Sequence, residues 1–145
     1  FEEQLISIQN EVVRLERSAR DYENTIAGLK TDTSAVEPIA AQIQTIQDQI
    51  SKVEGQIASG EREQIRQAQT TIGANADGAA GPNTRRAANA WIENQRAQIQ
   101  DLNAKIAQLQ QQAIDTVDTE RSRLSAIVND IRNNQIPALG TVSVI

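Results

Sequence analysis

Residues 75–91 read NADGAAGPNTRRAANAW, and how they are taken decides the fold. They hold two glycines, a proline, an Asn-Thr pair and the chain's only tryptophan. On both sides, long stretches repeat apolar residues three and four apart, with glutamine and charge between them. A compact corner between two helical rods is the simplest organisation that accommodates both patterns.

The segment around the corner has its own order. Ile65, Ala68 and Ile72 stand at helical spacing, and Gly73 follows as a C-terminal stop. Asp77-Gly78 is a turn pair in which glycine takes positive φ without a Cβ penalty. Gly81-Pro82 marks a second turn, after which Thr84 or Asn83 is expected to cap a new helix. Ala87, Ala88 and Trp91 lie on the inner face of that helix. Asp77, Gly78, Gly81, Pro82 and Thr84 are thus expected to build the corner, with Trp91 either filling it or offering a platform for a sugar ring.

Upstream, Leu5, Ile8, Val12, Leu15, Ala19, Tyr22, Ile26 and Leu29 alternate spacings of three and four, the a/d seam of a heptad. TDTSAVEP (31–38) follows, where Ser34 and Glu37 have the form of a capping box and Pro38 removes a backbone donor. The seam resumes through Val36, Ile39, Ile43, Ile46, Ile50, Val53 and Ile57. Three-plus-three spacing between Thr33 and Ile39 is a stammer, which overwinds a coil. A kinked continuous rod and two helices jointed at 31–34 both fit, so a kink or short break is expected near 31–38.

Downstream, Ile92, Ile99, Leu102, Ile106, Leu109 and Ala113 carry the seam. A four-plus-four step to Val117 is a stutter, and Leu124, Ile127 and Ile131 continue it. In NNQIPALG (133–140), Asn133, Asn134, Pro137 and Gly140 are expected to end the helix. The last five residues, TVSVI, are β-prone but too short to assign.

These patterns predict an all-α chain: a long antiparallel coiled-coil hairpin with a small helix–turn–helix tip. The expected segments are a first rod over 1–58, a compact tip over 59–95, a returning rod over 96–136 and an irregular tail over 137–145. At about 1.5 Å per residue the first rod would extend about 80 Å. A parallel oligomer, each rod pairing with copies of itself, is the rival arrangement.

Composition narrows the function. The chain has 145 residues, one each of Phe, Tyr and Trp, and a net charge of −5. Aliphatic residues and alanine supply its apolar surface, which suits narrow helix seams. Basic residues form no stripe, so no nucleic-acid footprint is present. Cysteine and histidine are absent, which removes disulfides, thiolate metal sites and the commonest general base. No Ser/His/Asp or Cys/His set is available, so no catalytic residue, metal site or cofactor is expected. No apolar run reaches the roughly 18 residues of a membrane span. The chain starts at Phe1, which fits a processed or excised segment, and membrane attachment is expected only through flanking segments. The charge clusters Glu2-Glu3, Glu61–Glu63 and Asp115–Glu120 read as solvated helix faces, with Arg121 and Arg123 available to Glu120 or to the opposite rod.

Over Ile65–Trp91, the pattern resembles the peptidoglycan-binding domain found at the ends of many bacterial and phage cell-wall hydrolases. That family has a helix ending I/V…LQ…LG, a loop D-G-x-x-G-P-x-T and a helix A-x-x-x-(F/W). Ile65, Gln69, Ile72 and Gly73 match the first part; Asp77, Gly78, Gly81, Pro82 and Thr84 match the loop; Ala87, Ala88 and Trp91 match the last helix. Ala79 and Ala80 stand where the family usually has an aromatic or branched residue, and the link from Gly73 to Asp77 is short. The resemblance implies binding to peptidoglycan. Amides of Asn75, Asn83 and Asn89 suit its acetamido groups, and the guanidinium forks of Arg85 and Arg86 suit its carboxylates. The chain is then expected to be a structural spacer in the periplasm or cell envelope, or on a phage virion. It is also expected to associate with other coiled-coil chains, as a homo-oligomer. The alternative is a purely structural coiled-coil assembly protein, as in a phage tail or secretion component, whose tip is only a rigid turn.

Overall fold

The computed structural model describes residues 2–140, and among these every regular element is helical. The elements are α1 (Glu2–Ala27), α2 (Val36–Ala58), α3 (Arg62–Ile72), α4 (Pro82–Asp130), a π-helical turn (Ile131–Gln135) and α5 (Ile136–Gly140). None of these helices is long and apolar enough to cross a membrane. The β-prone TVSVI lies outside the described residues.

The chain divides into two compact units, Phe1–Asp32 with Gln111–Ile145, and Thr33–Gln110. In the first, Leu15 and Ala19 of α1 pack with Val128 of α4 and Ile131, all buried, and Tyr22, Ile26, Ile127, Ile136 and Leu139 lie around them. The seam spacing in the sequence therefore marks the buried face. At its edge Arg132 pairs with Glu23 and approaches Glu16 at 3.9 Å.

α1 ends at Ala27, and residues 28–35 form a non-helical joint. The joint begins earlier than expected, and the two-helix reading applies rather than a kinked rod. The cap position falls one residue beyond Ser34. The N-cap of α2 is Ala35, with no side-chain cap bond, and Ser34 contributes its carbonyl, which accepts the Glu37 N–H at 3.4 Å. Thr, Asp and Ser offer the backbone local alternatives to the helix, which accounts for the break in this polar stretch.

The helix also persists where the sequence predicts its end. Helical structure continues through Pro137 to Gly140. Before it, the Ile136 N–H bonds to the Ile131 carbonyl, one residue wider than an α-turn. A wider turn relieves the clash between a proline ring and the carbonyl four residues back. Asp130 staples it, accepting the Asn134 and Gln135 amides at 2.8 and 2.7 Å.

In the second unit, Ile39, Ile50 and Val53 of α2 are buried, as are Ile65 and Ala68 of α3 and Ala88 of α4. α2 and α3 pack on each other, joined by a turn in which Gly60 has φ 72°. The Ser59 hydroxyl donates to the Gln56 carbonyl at 2.7 Å and accepts the Glu61 N–H at 3.1 Å. Gln56, itself buried, donates to the Gln67 side chain at 3.2 Å.

Candidate functional site

The corner is built from the end of α3, the loop 74–81 and the first turns of α4. α3 stops in a full Schellman arrangement. Gly73 takes φ 75°, the Ala74 N–H bonds to the Gln69 carbonyl at 2.8 Å, and the Gly73 N–H reaches the Thr70 carbonyl at 3.4 Å. The stop turns the chain back along α3.

Gln69 then holds the returning loop. It is the largest fully buried side chain among the described residues. Its amide nitrogen donates to Asp77 Oδ1 at 2.9 Å, the Ala79 carbonyl at 3.0 Å and Thr84 Oγ1 at 3.0 Å. Two N–H bonds are thus shared among three oxygens. Its carbonyl accepts the Gly78 N–H at 2.9 Å. Asp77 Oδ1 also accepts the Ala79 N–H at 2.9 Å, closing an Asx turn. Those two donors, the Ala79 N–H first and the Gln69 amide second, hold the Asp77 carboxyl below the ordinary aspartate value.

Thr84 is buried, and it does not cap α4 with its side chain. Its hydroxyl points back to donate to the Ala79 carbonyl at 3.2 Å while accepting from Gln69. The helix starts instead at Pro82, whose missing N–H costs nothing in a first turn, and the Gly81 carbonyl accepts the Arg85 N–H at 3.0 Å.

The two loop glycines differ. Gly78 has φ 78°, and a Cβ there would overlap Arg62 Cγ and stand 3.2 Å from the Arg62 carbonyl. Gly81 has no positive φ, and a Cβ there would meet nothing within 4 Å. Only the first is demanded by the backbone. Arg66 adds a strap, donating to the Ala76 carbonyl at 3.3 Å.

The expected ligand residues are not gathered in one place. Arg85 and Asn89 line a groove of about 490 Å³ together with Glu54, Ile57, Ile92 and Arg96. Asn75, Asn83 and Arg86 are exposed and do not line it. Trp91 is half-buried and is also outside the lining. The first turn of α4 has no acidic residue to offset Arg85 and Arg86, whose charge opposes the helix dipole there. Elsewhere, Arg121 pairs with Asp118 and Arg123 with Glu120, each three residues apart on the surface of α4.

Sequence reasoning gave Gln69 no role beyond a motif position and passed over Glu54 and Arg96. A signal for Gln69 exists: residues 65, 68, 69 and 72 share one helical face, and three of them are apolar. Compared with known proteins, the chain matches no family model, no curated protein and no solved structure.

Proposed function

We propose that this chain is a non-catalytic spacer in which a helical corner on a coiled-coil hairpin holds bacterial peptidoglycan. The observation that carries the reading is the convergence of the resembling residues on one point. Gln69, Asp77, Gly78 and Thr84 make a single hydrogen-bonded latch, and directly beyond it α4 presents Arg85 and Asn89 to a groove. A guanidinium fork and an amide beside aliphatic side chains suit a polymer of carboxylates, amides and small methyl-bearing groups.

An antiparallel sense for the helix pairing is supported within the second unit. Gln47, Ile50 and Ser51 of α2 share a groove with Arg96, Ile99 and Gln100, whereas Ile57 and Ala58 share one with Ala88 and Ile92. Numbers fall on α4 as they rise on α2. Cysteines placed at Tyr22 and Ile127 test the hairpin over the other unit: they should crosslink within one chain. Crosslinks only between chains would favour a parallel oligomer.

Co-sedimentation with purified sacculi tests the binding. The intact chain should pellet, and Arg85→Ala with Asn89→Ala should reduce pelleting at least tenfold without loss of helical circular dichroism. A chain that stays in the supernatant at every concentration sinks the proposal. Such a spacer belongs in the periplasm or envelope, or on a virion.

One observation favours a purely structural corner instead: the polar groups of Gln69, Asp77 and Thr84 are spent on one another. That reading expects a defined oligomer by light scattering and no affinity for wall polymer.

A further inference from the structure

Arg96 lies outside the loop and outside the resembling segment, yet it lines two grooves at once. One is the groove that holds Arg85 and Asn89; the other, of about 430 Å³, lies between Ile50 of α2 and Ile99 of α4. Arg85, Asn89, Ile92 and Arg96 fall at i, i+4, i+7 and i+11, a single stripe along α4. Arg96 therefore joins the two grooves end to end. From Arg85 to Gln100 the stripe runs about 22 Å at the helical rise, the length of six or seven residues of extended peptide at about 3.3 Å each.

The lining has a definite chemistry. Its floor is aliphatic, from Ile50, Ile57, Ile92 and Ile99. Neither groove has an aromatic ring in its lining, so a sugar ring finds no face on which to stack. The rim carries side-chain amides, Gln47, Asn89 and Gln100, which match the donors and acceptors of a peptide backbone. Among the described residues, neither Arg85 nor Arg96 takes part in an ion pair, although the chain as a whole is acidic. The one acid on the rim, Glu54, is likewise outside any such pair and faces the same groove.

We infer that the two grooves act as one furrow for an extended peptide bearing carboxylates, and that Arg96 at its middle reads a carboxylate. The inference rests on the wall-binding proposal and narrows it to the peptide component of the polymer. Arg85 serves a second carboxylate near the corner, and Glu54 suits an amine on the same ligand. Small aliphatic side chains of the peptide lie on the isoleucine floor.

The test uses the full chain and two soluble probes cut from purified sacculi by an amidase: the released peptides, and the glycan strands left behind. By titration calorimetry the peptides should bind and the glycan strands should not. Amidating the peptide carboxylates, or Arg96→Gln, should weaken binding at least tenfold, and Arg96→Lys about threefold, since lysine keeps the charge but not the fork. Arg96 is exposed, and unchanged circular dichroism would confirm that the variants fold. Glycan strands binding as well as the peptides, or peptide affinity staying within twofold after Arg96→Gln, overturns the furrow. Pelleting with sacculi separates the two ideas. Undiminished pelleting with sacculi whose peptide carboxylates have been amidated keeps wall binding and removes the furrow; no pelleting with untreated or amidated sacculi removes both.

Discussion

The corner and the cluster around Leu15 are held together by opposite means. In the cluster, Leu15, Ala19, Val128 and Ile131 are buried aliphatics, and a surface ion pair of Arg132 with Glu23, close to Glu16, lies at its edge. In the corner, the most deeply buried large side chain is an amide that bonds three loop groups and Thr84 of α4. Apolar burial is non-directional and tolerates small shifts along a seam. Hydrogen bonds are directional, and an unmade one inside the protein is costly. The cluster thus sets that helices meet, while the latch sets one shape for a loop.

The comparison breaks most visibly at Gln69. Gln69→Glu replaces the amide donor with a buried carboxylate facing Asp77, and should cost about 3–5 kcal/mol. Hydrogen exchange should report it as lost protection at the Gly78 and Ala79 amides. Equal protection in the variant would mean that the latch does not hold the loop.

Next comes Leu15→Ala, which should cost about 3 kcal/mol through lost burial and a residual cavity. Its exchange signature should fall on residues of α1 and the end of α4, leaving the loop amides unchanged. If the loop responds equally, the two regions do not differ as described.

The loop glycines sharpen the contrast within the corner. Gly78→Ala should cost about 2 kcal/mol, because it combines positive φ with overlap on Arg62. Gly81→Ala should instead raise stability by about 0.5 kcal/mol by restricting the unfolded chain. Thermal melts of the two variants should move in opposite directions.

Arg132→Ala is the smallest of the substitutions that lower stability, about 0.5 kcal/mol, because its partners are solvent-exposed and screened. Acid provides a matching probe of the latch. Asp77 is held below its ordinary value, so its contribution is complete above about pH 4 and is lost as pH falls through the lowered folded value. Protection of the Ala79 amide, measured against its intrinsic exchange rate at each pH, should fall over that acidic range before the Leu15 cluster responds.

Much of this was legible in the residues. Leu15, Ala19, Ile50 and Val53 fall on a seam of alternating three and four, and all four are buried. Gly73 and Gly78 stand where only glycine is comfortable, and both have positive φ. Gly81 looked the same and is not, because turn composition does not reveal the sign of φ. Gln67 and Gln69 are chemically identical and two residues apart, yet one is exposed and the other fully buried. Ser34 and Thr84 each had a capping reading from local spacing. At α2 the cap position falls on Ala35, and at α4 the Gly81 carbonyl accepts the Arg85 N–H while the Thr84 hydroxyl turns to the loop.

By itself the sequence determined that the chain is helical, which faces are buried and where α3 must stop. Those properties follow from periodicity and from backbone sterics, which act over a few residues. Only the tertiary structure decided that Gln69 meets Asp77, Ala79 and Thr84, that Gly81 has no positive φ and open space at its Cβ, and that Arg96 lines two grooves. Each of these depends on which distant groups lie within about 3 Å of each other or on which helix closes a groove, and a linear pattern does not encode such distances.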